Sequence, residues 1–133
     1  MLDLAGIDVT RAHDAVANAR LVCEAARSAG MAVVIVKSRY SGFHGTNLDS
    51  VLRSRGIRNL WMVGIASNVC VESTLRDAYF NEYWPILIAD ATMPAGSAEI
   101  PMATVYNVKT FFGWVASSED VATVLREATK PRP

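Results

Sequence analysis

The sequence predicts an α/β protein with three layers, α/β/α, in which a mostly parallel sheet lies between helices. Segments of helical periodicity alternate with short apolar runs rich in β-branched residues along most of the chain. Continuous apolar runs are typical of strands that are buried on both faces. Because helices connect successive strands by right-handed crossovers, these strands are expected to be parallel.

The composition indicates one domain, residues 1–133, without a global electric field. Lys plus Arg and Asp plus Glu number 13 each, which disfavours nucleic acid or an anionic membrane as a partner. The two cysteines lie in unlike contexts and form no disulfide framework. The first residues lack the basic flank and apolar core of a signal peptide, and no run approaches the length of a membrane span. We therefore expect a cytoplasmic protein.

The first predicted element is a helix that Thr10 caps and that runs to about Ser28, with Gly30 closing it. One face carries small apolar residues at helical spacing. These are Ala12, Ala15, Val16, Ala19, Val22 and Ala26. Cys23 lies within this pattern, and packing is its predicted role.

Two strands and a helix follow. Met31–Val36 is the first predicted strand, and a loop leads from it to a helix that ends at Gly56. Thr46, with Asp49 three residues later, resembles a capping box for this helix. The second strand is Leu60–Gly64.

The chain then turns sharply into a helix that runs to about Glu82, and Pro85–Ala89 is the third strand. A loop is predicted over Asp90–Gly96, and Ser97 opens another helix.

The last elements are a strand over Phe111–Ala116 and a terminal helix to about Ala128. Ser117, with Asp120 three residues later, is predicted to cap this helix.

Cys70 is the strongest functional candidate because it lies at the first turn of the helix that follows the second strand. The free N–H groups of a helix N-terminus carry roughly half a positive charge, which stabilises a thiolate and favours nucleophilic attack. The same groups stabilise the oxyanion of a tetrahedral intermediate. The position indicates covalent acyl chemistry, whereas the alternative for a free cysteine is a small buried hydrophobe.

Lys37 and Asp90 follow two other strands, so both are expected near Cys70 at the carboxyl edge of the sheet. The Lys37 ammonium would stabilise the thiolate and orient a carbonyl substrate, unless it is an ordinary solvated lysine. For Asp90 we favour a structural role, in which the carboxylate caps backbone N–H groups, over a role as acid or base.

The other candidates are weaker. His44 offers an alternative Cys–His pair, while His13 is expected to be solvated. Tyr40 and Phe43 either line a pocket or pack within their loop. No spacing suits a metal site and no glycine-rich phosphate loop is present, so no metal or cofactor is predicted.

Two motifs together resemble the isochorismatase-like cysteine hydrolases, and most closely their ureidoacrylate amidohydrolase branch. Residues 64–78, GIASNVCVESTLRDA, are similar to the nucleophile motif, and residues 37–43, KSRYSGF, are similar to the lysine motif. Residues 48–57, LDSVLRSRGI, and 111–115, FFGWV, extend the similarity.

The resemblance implies a hydrolase that acts on an amide or ureido small molecule in pyrimidine degradation. Cys70 would attack the carbonyl to form a thioester, which water then hydrolyses, and Lys37 would stabilise charge near the thiolate. The backbone N–H groups of Ala66 and Cys70 would form the oxyanion hole. Asn68 and Tyr40 would contact the substrate.

The resemblance also implies a cis peptide between Ile65 and Ala66. Exposed sheet edges and the habit of the family both favour a homo-oligomer.

The sequence departs from the family pattern in two places. The family's catalytic aspartate ends a first strand, and no such motif is present; Asp3 and Asp8 do not follow an apolar strand. Between Gly30 and Lys37 the chain passes through one strand, where the family has two strands and a substrate-binding loop. The predicted fold therefore has fewer strands than the family fold. The alternative function is a catalytically impaired module that assembles or binds small molecules.

Overall fold

The computed structural model describes residues 12–28, 35–97 and 100–128, and these form the predicted three-layer α/β arrangement. The sheet has three parallel strands in the order β1-β2-β3. They are β1 (Asn59–Ile65), β2 (Trp84–Met93) and β3 (Trp114–Ala116). The predicted fold class is confirmed.

Five α-helices and two π turns surround this sheet in the described part of the chain. The helices are α1 (Ala12–Ser28), α2 (Leu48–Ser54), α3 (Glu72–Phe80), α4 (Ile100–Asn107) and α5 (Ser118–Ala128). The π turns are Ser67–Val71, directly before α3, and Val108–Phe112, directly after α4.

Helices α1 and α5 cover one face of the sheet. Val22 of α1 and Val121 of α5 pack there against Ile88 and Ala91 of β2. Ile88 and Ala91 have no exposed surface, so this layer is closed over the centre of the strand. Burial of these side chains is the main driving force for the layer.

Helix α3 and the two π turns cover the opposite face. Leu87, which neighbours Ile88 in β2, packs there against Val71, Leu75 and Val108. Successive side chains of a strand point to opposite faces. Because both faces of β2 are covered, its sequence is a continuous apolar run rather than an alternating one.

The pairing of β1 with β2 is irregular just before the end of β1. The register shifts between Met62 and Gly64, and Gly64 has a φ of 118°. Side chains rarely adopt this backbone conformation, so glycine is needed at this position. The irregularity lies directly before the turn that carries Cys70.

Helix boundaries at the two ends of the chain agree with the sequence. The first helix ends at Ser28, as predicted, and its proposed cap Thr10 and closing residue Gly30 lie outside the described residues. The capping box before α5 is confirmed: the Ser117 N–H donates to the Asp120 carboxylate, and the Asp120 N–H donates to Ser117 Oγ.

The predicted capping box at Thr46 is wrong in one half. Thr46 Oγ1 accepts from the Leu48 N–H, so the threonine does satisfy a free donor at the start of α2. The Asp49 carboxylate, however, accepts from Arg53 and from the Tyr83 hydroxyl instead of reaching back to Thr46. A partner 34 residues away has captured the side chain that the local motif required.

Two predicted strands have different limits in the structure. β2 continues through Met93, so the predicted loop over Asp90–Gly96 begins too early. Phe111 and Phe112 belong to the second π turn, which leaves only Trp114–Ala116 in the last strand. A Cβ atom at Gly113 would overlap the Pro85 carbonyl, so only glycine fits where the chain enters β3.

Two further expectations concern the first half of the chain. Val16 belongs to the predicted apolar face of α1 but is 54% exposed, whereas Ala15 and Val22 on the same face are buried. The predicted strand Met31–Val36 has its first four residues outside the described part, and its last two lie in no strand.

Candidate active site

Cys70 lies on a tight connection between β1 and α3. Ala66 is extended and buried, and the N–H groups of Val69 and Val71 both donate to its carbonyl, at 3.1 and 3.2 Å. Cys70 is a half-buried free thiol in the π turn that follows. The predicted strand-to-helix position is confirmed, although a π turn replaces the expected first turn of an α-helix.

The hydrogen bonds to the Ala66 carbonyl do not use the two N–H groups that the resemblance assigns to an oxyanion hole. Val69 and Val71, rather than Ala66 and Cys70, supply the N–H groups that bond the Ala66 carbonyl. The peptide between Ile65 and Ala66 is cis, as the resemblance implied. The oxyanion-hole assignment itself stays a prediction.

Lys37 lies at the start of an exposed loop, residues 37–46, which we call the lysine loop. Its Nζ atom donates to the carbonyl oxygens of Arg39 and Tyr40, at 3.1 and 3.3 Å. The ammonium group therefore folds over its own loop, and its action on Cys70 stays a prediction.

Thr74 connects the lysine loop to the cysteine turn. Its hydroxyl donates to the Cys70 carbonyl at 2.7 Å and accepts from the Gly42 N–H at 2.9 Å. Sequence reasoning missed this contact, for which the only signal is the position of Thr74 one helical turn after Cys70.

Asn68 ties the cysteine turn to the segment that follows β2. Its Nδ2 donates to the Ala95 carbonyl at 2.9 Å, and its Oδ1 accepts from the Ala95 N–H at 2.8 Å. Both ends of the Asn68 amide thus bond the backbone of one residue, Ala95. The contact with substrate assigned to Asn68 stays a prediction, while the observed contact positions a neighbouring segment.

Glu72 forms the third connection, and sequence reasoning missed it. Its carboxylate accepts from Arg76 at 2.6 Å, from the Thr104 hydroxyl at 2.8 Å and from the Asn107 amide at 3.3 Å. The side chain is only 12% exposed. Because a buried carboxylate requires such partners, Glu72 fixes the start of α3 against α4.

The remaining candidates are Phe43, Tyr40, His13 and His44. Phe43 packs against Tyr83 outside its own loop, with ring centroids 5.5 Å apart. Tyr40 is 65% exposed, and the contact with substrate assigned to it stays a prediction. His13 and His44 are both exposed.

Asp90 has the structural role that the sequence favoured, with a more distant partner than expected. Its carboxylate accepts from the Ser118 N–H at 2.8 Å and from the Ser118 hydroxyl at 2.6 Å. It thereby caps α5, which lies 28 residues further along the chain, rather than the next loop.

Cys23, the second thiol, is half-buried on α1 like Cys70 on its turn. It lies in the middle of the helix, where backbone N–H groups are bonded within the helix. The two thiols therefore have similar exposure classes and different backbone environments.

The described residues contain no group of three or more His, Cys, Asp or Glu side chains suited to a metal ion. None of the helices described is both long and apolar enough to cross a membrane.

Among the described residues, two carboxyl groups outside the cysteine turn and the lysine loop have lowered pKa values. Hydrogen bonds from Tyr83 and then Arg53 lower the pKa of the Asp49 carboxyl, and bonds from Ser117 lower the pKa of Asp120.

Comparison with known protein families gives a match over residues 32–120 to the isochorismatase domain. Among individual relatives, the ureidoacrylate amidohydrolase RutB of Agrobacterium fabrum is 57% identical over 96 residues, which cover 72% of this chain and 42% of that protein. The protein of the same name from Acinetobacter baylyi is 60% identical over 87 residues, covering 65% of this chain and 36% of that protein. The chain thus spans about two fifths of the length of these relatives.

Solved structures agree on the fold. A cysteine hydrolase from Pseudomonas syringae pv. phaseolicola 1448A superposes with a TM-score of 0.82 at 22% identity, covering 90% of this chain and 83% of that one. An isochorismatase-like hydrolase from Alkaliphilus metalliredigens gives a TM-score of 0.63 at 31% identity, covering 68% and 48%. The match to the family spans both the lysine loop and the cysteine turn, and the chain belongs to the isochorismatase family.

Proposed function

We propose that this protein is a cysteine-dependent amidohydrolase that cleaves the C–N bond of an amide or ureido compound of the ureidoacrylate type. The main support for the proposal is that the cysteine turn and the lysine loop are connected. Cys70 lies on the turn between strand and helix, and the lysine loop is hydrogen-bonded to that same helix. The proposal draws on the sequence identity to proteins named ureidoacrylate amidohydrolase.

The reaction has two steps. The Cys70 thiolate attacks the carbonyl carbon, the C–N bond breaks, and the nitrogen leaves after taking a proton, so that an acyl group remains on sulfur. Water then attacks this thioester and the S–C bond breaks, which releases the acid and regenerates the free thiol. The N–H groups of Ala66 and Cys70 stabilise the oxyanion in both steps, and the Lys37 ammonium stabilises the thiolate.

The reaction also needs a base that accepts the thiol proton. The aspartate motif of the family is absent from the sequence, and the Asp90 carboxylate is engaged by Ser118. Loss of a positioned general base costs about 10²–10⁴ in rate. For residues 1–133 alone, we expect turnover slower by this factor than in a family member that has the aspartate.

The test is hydrolysis of ureidoacrylate by the full chain, with intact-protein mass spectrometry after rapid acid quenching. We expect slow turnover and a carbamoyl adduct on Cys70, both absent in Cys70→Ala and both retained in the matched control Cys23→Ala. Turnover by Cys70→Ala equal to that of the parent would overturn the proposal, as would the lack of any turnover or adduct in the parent.

A further inference from the structure

We infer that Thr74 is a positioning residue that holds the lysine loop against the cysteine turn and so sets the action of Lys37 on Cys70. The inference rests on the proposed pairing of these two residues. It adds a residue that touches neither the substrate nor the reacting atoms.

The Thr74 hydroxyl is used on both sides. As donor it bonds the carbonyl of Cys70 itself, at 2.7 Å, and as acceptor it takes the Gly42 N–H at 2.9 Å. A hydroxyl has one hydrogen and two lone pairs, so it can serve both partners at once. The Tyr40 carbonyl oxygen lies 3.5 Å from the same Thr74 hydroxyl. One side chain thus joins the backbone of the nucleophile to the backbone of the lysine loop.

The lysine loop has no helix or strand of its own before α2, so contacts made by single residues, this one among them, hold it in place. The Lys37 ammonium is bonded to the Tyr40 carbonyl, and Gly42, two residues later, is the buried point at which the loop meets α3. A buried N–H group requires a partner, and Thr74 is the partner of Gly42. Moving Gly42 would therefore move the segment that holds the Lys37 ammonium.

Packing at Gly42 supports the same arrangement. A Cβ atom built on Gly42 would lie 3.3 Å from Thr74 Cγ2 and 3.3 Å from Leu48 Cδ2, which leaves little space around the glycine. The threonine methyl group is thus a packing contact, and the hydroxyl is a directional one. Two substitutions separate these contributions. Thr74→Val keeps the shape and removes the hydroxyl, whereas Thr74→Ser keeps the hydroxyl and removes the methyl group.

The experiment measures alkylation of Cys70 by iodoacetamide at neutral pH in the full chain carrying Cys23→Ala. Each Thr74 variant is made with Lys37 and with Lys37→Met. We expect Thr74→Val to slow alkylation about tenfold, the size of effect that a lost neighbouring charge has on ionisation, and as much as Lys37→Met does. Thr74→Ser should react at the rate of the parent. In the Lys37→Met background, Thr74→Val should have no further effect.

Two results would overturn the inference. One is a parental rate in Thr74→Val, and the other is an equal slowing by Thr74→Val with and without Lys37, since the hydroxyl would then act on the turn alone. If Thr74→Val does not fold, Thr74→Ala takes its place in the same cycle. Alkylation needs no substrate, so a failure of hydrolysis with this coupling intact would count only against the proposed function.

Discussion

The two ends of the sheet differ in the contacts that hold them. At the carboxyl end, side chains around Cys70 make directional hydrogen bonds to distant parts of the chain. These are the bonds of Asn68 with Ala95, of Thr74 with Gly42 and of Glu72 with Thr104. Each crosses 27 to 32 residues of sequence, so each fixes a separate segment relative to the cysteine turn.

At the amino end, aromatic contacts lie beside the hydrogen bond from the Tyr83 hydroxyl to Asp49. Trp84 and Trp114 begin β2 and β3 and stack with centroids 5.6 Å apart, although each is about half exposed. Tyr79, Phe80 and Phe112 form a second group of edge-to-face contacts. Apolar contacts are non-directional, whereas hydrogen bonds specify geometry. The hydrogen bonds at the carboxyl end all start from the cysteine turn or the first residues of α3, which indicates that placement of this turn matters for the proposed chemistry.

The largest effect should come from Glu72→Ala. Removing one member of a buried ion pair leaves the other partners unsatisfied, and here Arg76 and Thr104 lose their acceptor. Because Arg76 is 38% exposed, we expect a loss of about 2–3 kcal/mol in the free energy of unfolding, below the range for fully buried pairs. Urea unfolding measures it. The matched control is Glu82→Ala, which changes an exposed glutamate at the amino end. An equal loss of stability there would contradict a special role for Glu72.

Asn68→Ala should have the next largest effect. It removes both bonds to the Ala95 peptide, and we expect a loss of about 1–2 kcal/mol in unfolding free energy. Amide hydrogen exchange at Ala95 should accelerate in the same variant. Asn68→Asp keeps an acceptor for the Ala95 N–H, so exchange there should stay slow. Unchanged exchange in Asn68→Ala would show that the contact does not hold the segment.

The stacked tryptophans should contribute less and should leave the thiol untouched. A double-mutant cycle with Trp84→Ala and Trp114→Ala should give a coupling energy of about 1 kcal/mol, typical of an aromatic pair. Alkylation of Cys70 should proceed at the parental rate in every variant of the cycle. A slower thiol reaction in Trp114→Ala would show that the two ends of the sheet are coupled.

An ionic contact near the amino end gives the smallest expected effect, and it depends on pH. Hydrogen bonds from Tyr83 and Arg53 lower the pKa of the Asp49 carboxyl. A lowered folded pKa stabilises the fold above the unfolded value of about 4, and this stabilisation is lost as the pH falls toward the folded value.

Urea unfolding between about pH 7 and pH 3 tests this contact. Asp49→Asn should be less stable than the parent at neutral pH and should lose less stability on acidification. Arg55→Ala, an exposed change on the same segment, should keep the parental pH dependence. Identical acid profiles for Asp49→Asn and the parent would contradict the assignment.

Local patterns predicted what local interactions decide. The Ser117–Asp120 cap and the turn that carries Cys70 depend on residues close in sequence, and both are present. Asp49 was misassigned because Tyr83, 34 residues later, competes for its carboxylate. Similar reasons hide the contacts of Glu72 with Thr104 and of Thr74 with Gly42, which span 32 residues, although a spacing of four residues does link Glu72 to Arg76 and Thr74 to Cys70. The end of β2 was placed too early because Asp90, a typical loop residue, is satisfied by capping α5.

Competition between the two thiols tests most directly whether the cysteine turn carries an activated nucleophile. The native chain is treated with a limiting amount of iodoacetamide at neutral pH, and peptide mass spectrometry measures the alkylation of each cysteine. Both cysteines are half-buried, so exposure alone favours neither. We expect Cys70 to be alkylated at least about tenfold faster than Cys23, because in the proposed function the turn and Lys37 stabilise its thiolate. Equal rates, or a faster Cys23, would contradict the claim that this turn carries an activated nucleophile.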